Sequence, residues 1–548
     1  MKNLSQIWNK QVAAALAVIA FAGLFAPAAR AQTNGPMAIQ WDKSYAALGK
    51  EDILYDLVPA SDGGLILVGC GVTYNPGGIS GSGWHPWLVR VDAAGNRLWD
   101  KSYGGSQTDV VIRSLPTADG GSLMAGFSNS TDGDRTPPYY GGLDYWVLRL
   151  DASGQRVWDA SYGGNNTERG FWIEPTTDGG FLLAGESFSL PSGSKAAPYY
   201  GNGDMWIVRL DANGNQMWDQ SFGGSNADDV KVARQAGDGG FLLAGSSMSL
   251  PGTGNKTSPY FGPSGGALYQ GSDMWVVRLD AYGNKLWDRS YGGTGRERVW
   301  DCQTTADGGF VLAGFSSSGP APTPAAGNKT SRCYGGNDYW LVWIDADGNV
   351  LRDRSYGGMG DDRCLSLLPM PDGGWILCGQ STSWPGGTKT SPLFGGYDYW
   401  LVRIDAEGNQ MWDQSFGGSN TEGYDLAVYP PDMSVTPLKP TADGGFMLAG
   451  YSKSPPSGNK TAPLDLGWDY WLVKLGPEPP FLRAGPLQPD GLPLTIIGPT
   501  NRVFALQFST DLADWTDLAS ITNLAGEVEW KDQDATAQPV RFYRAVTK

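Results

Sequence analysis

Acidic side chains recur at one fixed offset along this 548-residue chain. Four residues past successive Gly-Gly doublets stand Asp109, Glu168, Asp228, Glu297, Asp362 and Glu422. Where Ala46-Ala47 replaces the doublet, the same offset gives Glu51. Gathered in a ring, such carboxylates could hold a hard cation such as calcium, which takes several carboxylate oxygens. Each could instead cap backbone N–H groups of its own turn. A feature repeated in every unit serves what every unit needs, so capping is the expectation. No cofactor is expected on this reading, and calcium is the alternative.

A second set is aromatic. The pattern Ser-Gly-x-Lys-Thr/Ala-x-Pro leads into Tyr139-Tyr140, Tyr199-Tyr200 and Tyr260-Phe261, with Tyr334 and Phe394 as single members. Aromatic faces beside acids and amides suit sugar rings or peptides, so these eight are the candidate ligand-binding residues. The alternative is that the rings pack their own loops down. Lys195, Lys256, Lys329, Lys389 and Lys460 could pair with the acids, and exposed pairs of that kind contribute little. Catalysis finds little support. His85 is the single histidine, and a Ser-His-Asp triad would have to use it. Acids are plentiful enough for glycoside hydrolysis, yet nothing singles out one pair. The five cysteines form no Cys-x-x-Cys, so no zinc ribbon or c-type haem site is indicated. A disulfide between Cys333 and Cys364 is expected, on one face of two neighbouring units.

The elements that position these groups repeat at a spacing of roughly 60 residues, the mark of an array of supersecondary units. Trp-Asp-x-Ser-Tyr/Phe starts at Trp41, Trp99, Trp158, Trp218, Trp287 and Trp412, with a weakened copy at Asp353. Asp-Gly-Gly starts at Asp62, Asp119, Asp178, Asp238, Asp307, Asp372 and Asp443. Asp-Tyr/Met-Trp starts at Asp144, Asp204, Asp273, Asp338, Asp398 and Asp469, with His85-Pro86-Trp87 as a degenerate first copy. One copy, Val157 to Asp211, reads as four strands separated by two tight turns and two longer loops. Asp211-Ala212-Asn213-Gly214-Asn215 is a turn rather than a calcium loop. The repeat-position Trp residues read as core.

Four strands per unit, seven times, predict an all-β fold: a seven-bladed β-propeller. The tight turns make each blade from strands two, three and four plus the next Trp-Asp strand. The strand Ile39 to Tyr45 is then spare and the last blade lacks one, so the N-terminal strand is expected to close the ring against Tyr470 to Leu475. The tight turns fall on one face, the variable loops on the other, and the acids would ring the mouth of a central channel.

These motifs resemble known families. Leu210-Asp211-Ala212-Asn213-Gly214-Asn215 followed by Trp218 is similar to the docking-tryptophan repeat of quinoprotein-like propellers, which implies a Trp packed between blades. Thr117-Ala118-Asp119-Gly120-Gly121 resembles a degenerate Asp-box of sialidase-type propellers, with an aliphatic residue where the final Trp belongs. Gly-Gly-Ser-x-x-Asp, Thr-x-Asp-Gly-Gly-x-x-Leu-Ala-Gly and Asp-Tyr-Trp-x-Val occur in this order in secreted bacterial propeller-repeat proteins of unassigned function. That resemblance spans about Trp41 to Leu475 and implies fold, not activity. Quinone-dependent dehydrogenases usually have eight blades and a vicinal disulfide, and no Cys-Cys occurs here. The segment around Phe504–Leu512, Trp515 and Arg541–Arg544 looks like a small C-terminal β-sandwich-like domain of secreted bacterial proteins.

Composition agrees with an all-β chain: 79 Gly and 23 Trp suit short strands, tight turns and aromatic anchors. A net charge of −16 disfavours nucleic acid and anionic membranes as partners. Lys2 and Lys10, an apolar stretch from Val12 to Phe25, and Ala29-Arg30-Ala31 read as an export signal, with no membrane span once it is cleaved. The expected organisation is a signal peptide over 1–31, a propeller over 32–476, a Pro-rich linker over 477–489 and a β-module over 490–548. The expected protein is a monomer that is secreted, periplasmic or on the cell surface. It is expected to bind a glycan or protein through the variable loop face. A polysaccharide-active enzyme and a purely structural surface protein are the alternatives.

Overall fold

The computed structural model describes residues 17–19, 37–46, 51–60, 62–72, 83–263, 271–423, 438–465, 467–478, 480–498, 502–524, 527–535 and 541–547. Among them the structure is all β-strand apart from one 3-10 turn, Pro324–Ala326. No helix among them is long and apolar enough to cross a membrane.

Seven antiparallel four-stranded sheets carry the repeats. The third is typical: Glu168–Pro175, Phe181–Ser187, Asp204–Leu210 and Gln216–Phe222, paired in that order. The first, second, fourth, fifth and sixth open with Asp52–Pro59, Asp109–Pro116, Asp228–Gln235, Glu297–Thr304 and Asp362–Pro369 and close on the next Trp-Asp strand. The seventh takes Leu438–Pro440, Phe446–Ser452 and Asp469–Leu475, and its fourth strand is Ile39–Tyr45 from the other end of the chain. The register there, Trp41 opposite Lys474 and Tyr45 opposite Tyr470, is the pairing the spare strand required.

Sequence pattern accounts for the layering. The third strands, such as Asp204–Leu210, are buried along their whole length. They therefore read as continuous apolar runs around a buried Trp. The fourth strands, such as Gln216–Phe222, keep an exposed residue beside the docking Trp. There the register slips by one residue, and Met217 is the bulged residue. The connecting turns are self-contained: Asp211 Oδ1 accepts N–H groups of Asn213 and Asn215, both at 2.8 Å. That geometry is an Asx-type bend, as expected.

Neighbouring sheets are joined by two aromatic contacts. The Tyr of Ser-Tyr reaches the glycine carbonyl of the next sheet's turn, as in Tyr291 OH to Gly348 O at 2.7 Å and Tyr45 OH to Gly95 O at 2.6 Å. The docking Trp lies against that same glycine. A Cβ on Gly95 would sit 2.7 Å from Trp41, and its φ of +74° also favours glycine. The seventh sheet meets the first through Tyr470 OH and Trp87 O at 2.9 Å.

The C-terminal strands form two further sheets. One joins Arg502–Ser509 to Thr516–Asn523 and Arg541–Thr547, with Ala17–Ile19 added at the edge. The other is Phe481–Ala484, Leu492–Ile497 and Glu527–Asp532. Leu494, Ile496, Phe504, Leu506 and Tyr543 give them one shared core. The stretch read as a linker thus contains a strand, because Leu482 supplies apolar surface to that core. Apart from Ala17–Ile19, the segment read as an export signal lies outside the described residues.

Candidate functional site

The repeated acids are buried caps. Glu168 accepts the Gly164 N–H at 2.8 Å and the Ser187 hydroxyl at 2.8 Å. Glu297 accepts Gly293 N–H at 2.9 Å and the hydroxyls of Ser316 and Ser318 at 2.7 and 2.6 Å. Asp109, Asp228, Asp362 and Glu422 accept the equivalent glycine N–H. None of the six is exposed beyond 1 %, so they do not ring an open channel mouth. The first copy also corrects the spacing. Asp52, not Glu51, opens the innermost strand, and its N–H donates to Trp468 O at 2.9 Å. The segment after Tyr45 is one residue longer than in the other copies and lacks Gly-Gly.

Beside each cap lies a second buried acid, the Asp of Asp-Tyr/Met-Trp. A Cβ on Gly163 would sit 2.2 Å from Asp144 and 2.9 Å from Glu168, so only glycine lets the two carboxyls close in. Among the described residues, the inner oxygens Asp144 Oδ1, Asp204 Oδ1 and Asp273 Oδ1 have no hydrogen-bond partner. Burial, followed by the neighbouring acid, pushes Asp144, Asp204 and Asp398 up to about 7, against opposing N–H bonds. In the first sheet His85 takes this slot, with Nδ1 3.6 Å from Asp109. His85 is buried, and the hydroxyls of Ser128 and Ser130 donate directly to Asp109.

The loop lysines are not exposed partners of an acid ring, as their spacing suggested. Lys195, Lys256, Lys329, Lys389 and Lys460 are all buried. Lys256 Nζ donates to Ser258 O at 2.8 Å, Pro259 O at 3.1 Å and the Ser290 hydroxyl at 3.0 Å. It lies 5.5 Å from the Trp275 ring centre. Burial pulls Lys256, Lys329 and Lys389 down to about 8. The Asp of Trp-Asp completes the staple: Asp288 accepts Trp275 Nε1 at 3.0 Å and Ser258 N–H at 2.8 Å. Repeated polar motifs therefore pin each long loop to its sheet. In the second sheet Arg135 replaces the lysine and reaches Asp144 at 3.0 Å.

The eight aromatic candidates are spread over five loops rather than brought together. Tyr139 is exposed; Tyr140, Tyr199, Tyr200, Tyr260, Phe261, Tyr334 and Phe394 are half-buried. The backbone N–H groups of Tyr140, Tyr200, Phe261, Tyr334 and Phe394 donate to the second acids. Tyr140, Tyr334 and Phe394 lie against glycines of the next sheet's loop, Gly193, Gly387 and Gly458. Tyr260 OH closes its own loop on Gly271 O at 2.8 Å.

The disulfide expected between Cys333 and Cys364 is absent, and both thiols are free. Cys364 is buried in the core between the fifth and sixth sheets. Cys333 Sγ stays on the loop, 3.3 Å from Gly335 O.

Two places break the repeat. The first is the axis, where the innermost strands carry unlike residues. Their second positions read Ile53, Val110, Arg169, Asp229, Arg298 and Arg363, and their fourth Tyr55, Ile112, Phe171, Lys231, Trp300 and Leu365. Lys231 Nζ sits 3.4 Å from Asp229 and 3.9 Å from the Phe171 ring centre. Toward the tight-turn end, Arg113 and Arg234 lie over Trp172 at 3.8 and 4.8 Å. Arg113 is 3.8 Å from Asp56, and Arg234 is 3.3 Å from Asp301. These groups meet across neighbouring sheets.

The second is on the loop face of the sixth sheet. Trp384 is 71 % exposed and Met359 is 86 % exposed. The second to fifth and seventh copies have Thr131, Leu190, Leu250, Gly319 and Pro455 at the first position, and Ser106, Asn165, Ser225, Thr294 and Ser419 at the second; the first copy has Tyr74 and Leu48 there, both outside the described residues. The two loops are tied together: Gly360 N–H donates to the Ser383 hydroxyl at 2.9 Å, and Asp361 N–H to Thr382 Oγ1 at 2.7 Å. Next to them, Tyr334 packs on Gly387. Arg296 and Arg363 flank the Phe315 ring at 5.5 and 5.6 Å. Comparing the copies position by position exposes both residues; reading the motifs alone passes over them.

No protein-family model matches this chain. Its sequence is 25% identical over 249 residues to the regulatory protein FlaEY of Caulobacter vibrioides, covering 44% of this chain and 25% of that protein. The chain thus spans about a quarter of that relative's length. Among solved structures, a puromycin hydrolase aligns with 13% identity and a TM-score of 0.33, over 77% of this chain and 62% of that one. A DUF4221 protein from Bacteroides vulgatus aligns with 9% identity and a TM-score of 0.26, over 63% of this chain and 92% of that one. The all-β, propeller-like character of the chain rests on its own repeated four-stranded sheets.

Proposed function

We propose that this chain is an exported binding protein: a closed seven-bladed propeller whose loop face recognises a glycan or a protein. Ring closure is supported by the N-terminal strand in the seventh sheet and by the Tyr470–Trp87 contact. Export is supported by the basic, apolar and small-residue pattern of residues 1–31. The observation that carries recognition is Trp384, exposed on the loop face at a position where, besides it, only the first copy has an aromatic residue, Tyr74. An exposed Trp beside an exposed Met is an unusual apolar surface on an acidic protein, and Trp anchors dominate binding energetics.

The enzyme alternative draws less support. The paired carboxyls are closed to solvent, so no one pair is placed for a substrate. A metal is not needed either, since N–H and O–H donors already point at the capping oxygens. Glycan arrays and extracellular protein libraries probed with the mature protein test the proposal. Trp384→Ala should weaken binding at least about tenfold, a loss of ~1.4 kcal/mol, without lowering Tm. Undiminished binding by that variant would overturn the loop-face reading.

A further inference from the structure

We infer that each of the first four sheets carries a docking site for a glutamate side chain presented by an extended segment of another protein. The sites lie at the tight-turn end of the sheets, away from Trp384, and stand apart from the loop-face reading. The sixth sheet shows such a site filled. Trp412 of its fourth strand stands opposite Arg403 of its third. Arg403 Nε and Trp412 Nε1 both donate to one oxygen, Glu478 Oε1, at 3.0 Å. Glu478 belongs to the stretch Gly476-Pro477-Glu478 that leaves the repeat array. Arg403 keeps its Nη2 for Asp372, at 2.6 Å.

The same two donors recur without that acceptor. Register places Trp99 opposite Arg90, Trp158 opposite Arg149, Trp218 opposite Arg209 and Trp287 opposite Arg278. Each arginine spends its Nη atoms inside its own sheet, as Arg278 does on Phe241 O at 3.1 Å and on Asp238 at 2.6 Å. Among the described residues, nothing accepts a hydrogen bond from the Nε of these arginines or the Nε1 of these tryptophans. The four tryptophans are half-buried where Trp412 is buried, and the bulged residue beside each, such as Met217, is exposed where Met411 is half-buried. The local acids do not distinguish the sheets: Asp238 and Asp280 of the fourth correspond to Asp372 and Asp405 of the sixth. A carboxylate is accepted in the sixth sheet against that background, and at a half-exposed site it gives up less water. A carboxylate there gains two convergent N–H donors, one of them charged. A free small carboxylate would match the donors but leave the bulged apolar residue bare. A segment of chain covers both, as Gly476-Pro477-Glu478 does with prolines holding it extended.

Indole N–H resonances of the isotope-labelled full-length mature chain, assigned with Trp→Phe variants, report on the sites directly. The probe is the end-blocked peptide Gly-Pro-Glu-Pro-Pro, with Gly-Pro-Gln-Pro-Pro and sodium acetate as comparisons. The indoles of Trp99, Trp158, Trp218 and Trp287 should move with the Glu peptide, and the Gln peptide should bind about tenfold more weakly, the scale of one charge-assisted hydrogen bond. The seventh sheet is a control within the same molecule. There Lys474 stands opposite Trp41, and its Nζ is committed to Thr441 and Asp443 at 2.7 and 2.8 Å, so Trp41 should stay still. Lysine therefore folds at this position, and Arg209→Lys should lose the response of Trp218 while the other three indoles keep theirs. No movement of the four indoles at millimolar peptide overturns the sites. Equal response to the Gln peptide overturns the carboxylate, and equal response to acetate replaces the protein segment with a free small carboxylate. A response of Trp218 retained in Arg209→Lys overturns the role of the arginine Nε.

Discussion

Asp398 shows how much one buried oxygen can decide. Its Oδ2 accepts the Phe394 N–H at 2.6 Å, while Oδ1 is turned toward Glu422. Two carboxylates so close cannot both ionise cheaply. Asp144, Asp204 and Asp398, all pushed up to about 7 mainly by burial, are protonated in the fold where they would be ionised in the unfolded chain. A raised carboxyl pKa contributes stability below the unfolded value of about 4, and that stability is lost as pH rises through the folded value. The lysines held down to about 8 stay protonated across this window. Stability should therefore decline between about pH 4 and 7. Asp398→Asn mimics the protonated acid: an amide can accept the Phe394 N–H and donate to Glu422. That variant should show a shallower decline in thermal unfolding, and the triple variant with Asp144→Asn and Asp204→Asn a shallower one still. A slope unchanged in the triple variant would show that the pairs do not share a proton.

At the scale of elements, the strand Ile39–Tyr45 joins the two ends of the repeat array. Asp42 accepts Trp471 Nε1 at 3.0 Å and the N–H groups of Thr461 and Ala462 at 2.9 and 2.8 Å. Trp41 and Tyr45 both meet Gly95 of the first sheet. Deleting residues 32–46 would expose Asp469–Leu475 as an edge and strip these contacts. The expected cost exceeds about 3 kcal/mol, the scale of removing one buried aromatic side chain. Chemical denaturation measures it, and an unchanged midpoint would refute the closing role. The pairing was legible because hairpin lengths left one strand over and one place empty. The burial of the lysines was not: Lys256 is surrounded by carbonyls and hydroxyls from its own loop and from Ser290 of the sheet's fourth strand, a convergence that spacing does not reveal.

At the scale of the whole molecule, the repeat array and the C-terminal strands meet at one seam. Glu478 accepts Arg403 Nε and Trp412 Nε1, both at 3.0 Å. Arg502 donates to Asp443 O at 2.9 Å. A cavity of ≈ 540 Å³ lies along the seam, bordered by Met370, Phe446 and Ile497 among others. Glu478→Ala would leave the Arg403 and Trp412 donors without this acceptor, at a cost of about 3 kcal/mol. Limited proteolysis should then release the C-terminal module sooner than in wild type. Equal cleavage rates would show that Glu478 does not hold the seam.

The sequence by itself determined the strand count, the sheet composition and the partner of the N-terminal strand. Each follows from local chemistry, namely turn residues, alternation and a Trp at a fixed place, repeated until one copy explains another. It also pointed to the capping of each turn, because Gly-Gly followed by an acid at four residues is a short-range geometry. Tertiary structure alone decided the rest. Which acid opens the first sheet depended on the Asp52 pairing with Trp468, 416 residues away. Cys333 and Cys364 share a face in a strand diagram, yet one stays on a loop and the other in a core between sheets. Phe315 and Arg363 come from neighbouring sheets and touch only because those sheets pack. Exposure is likewise a property of the packed molecule, so the same residue type is core at Trp206 and surface at Trp384.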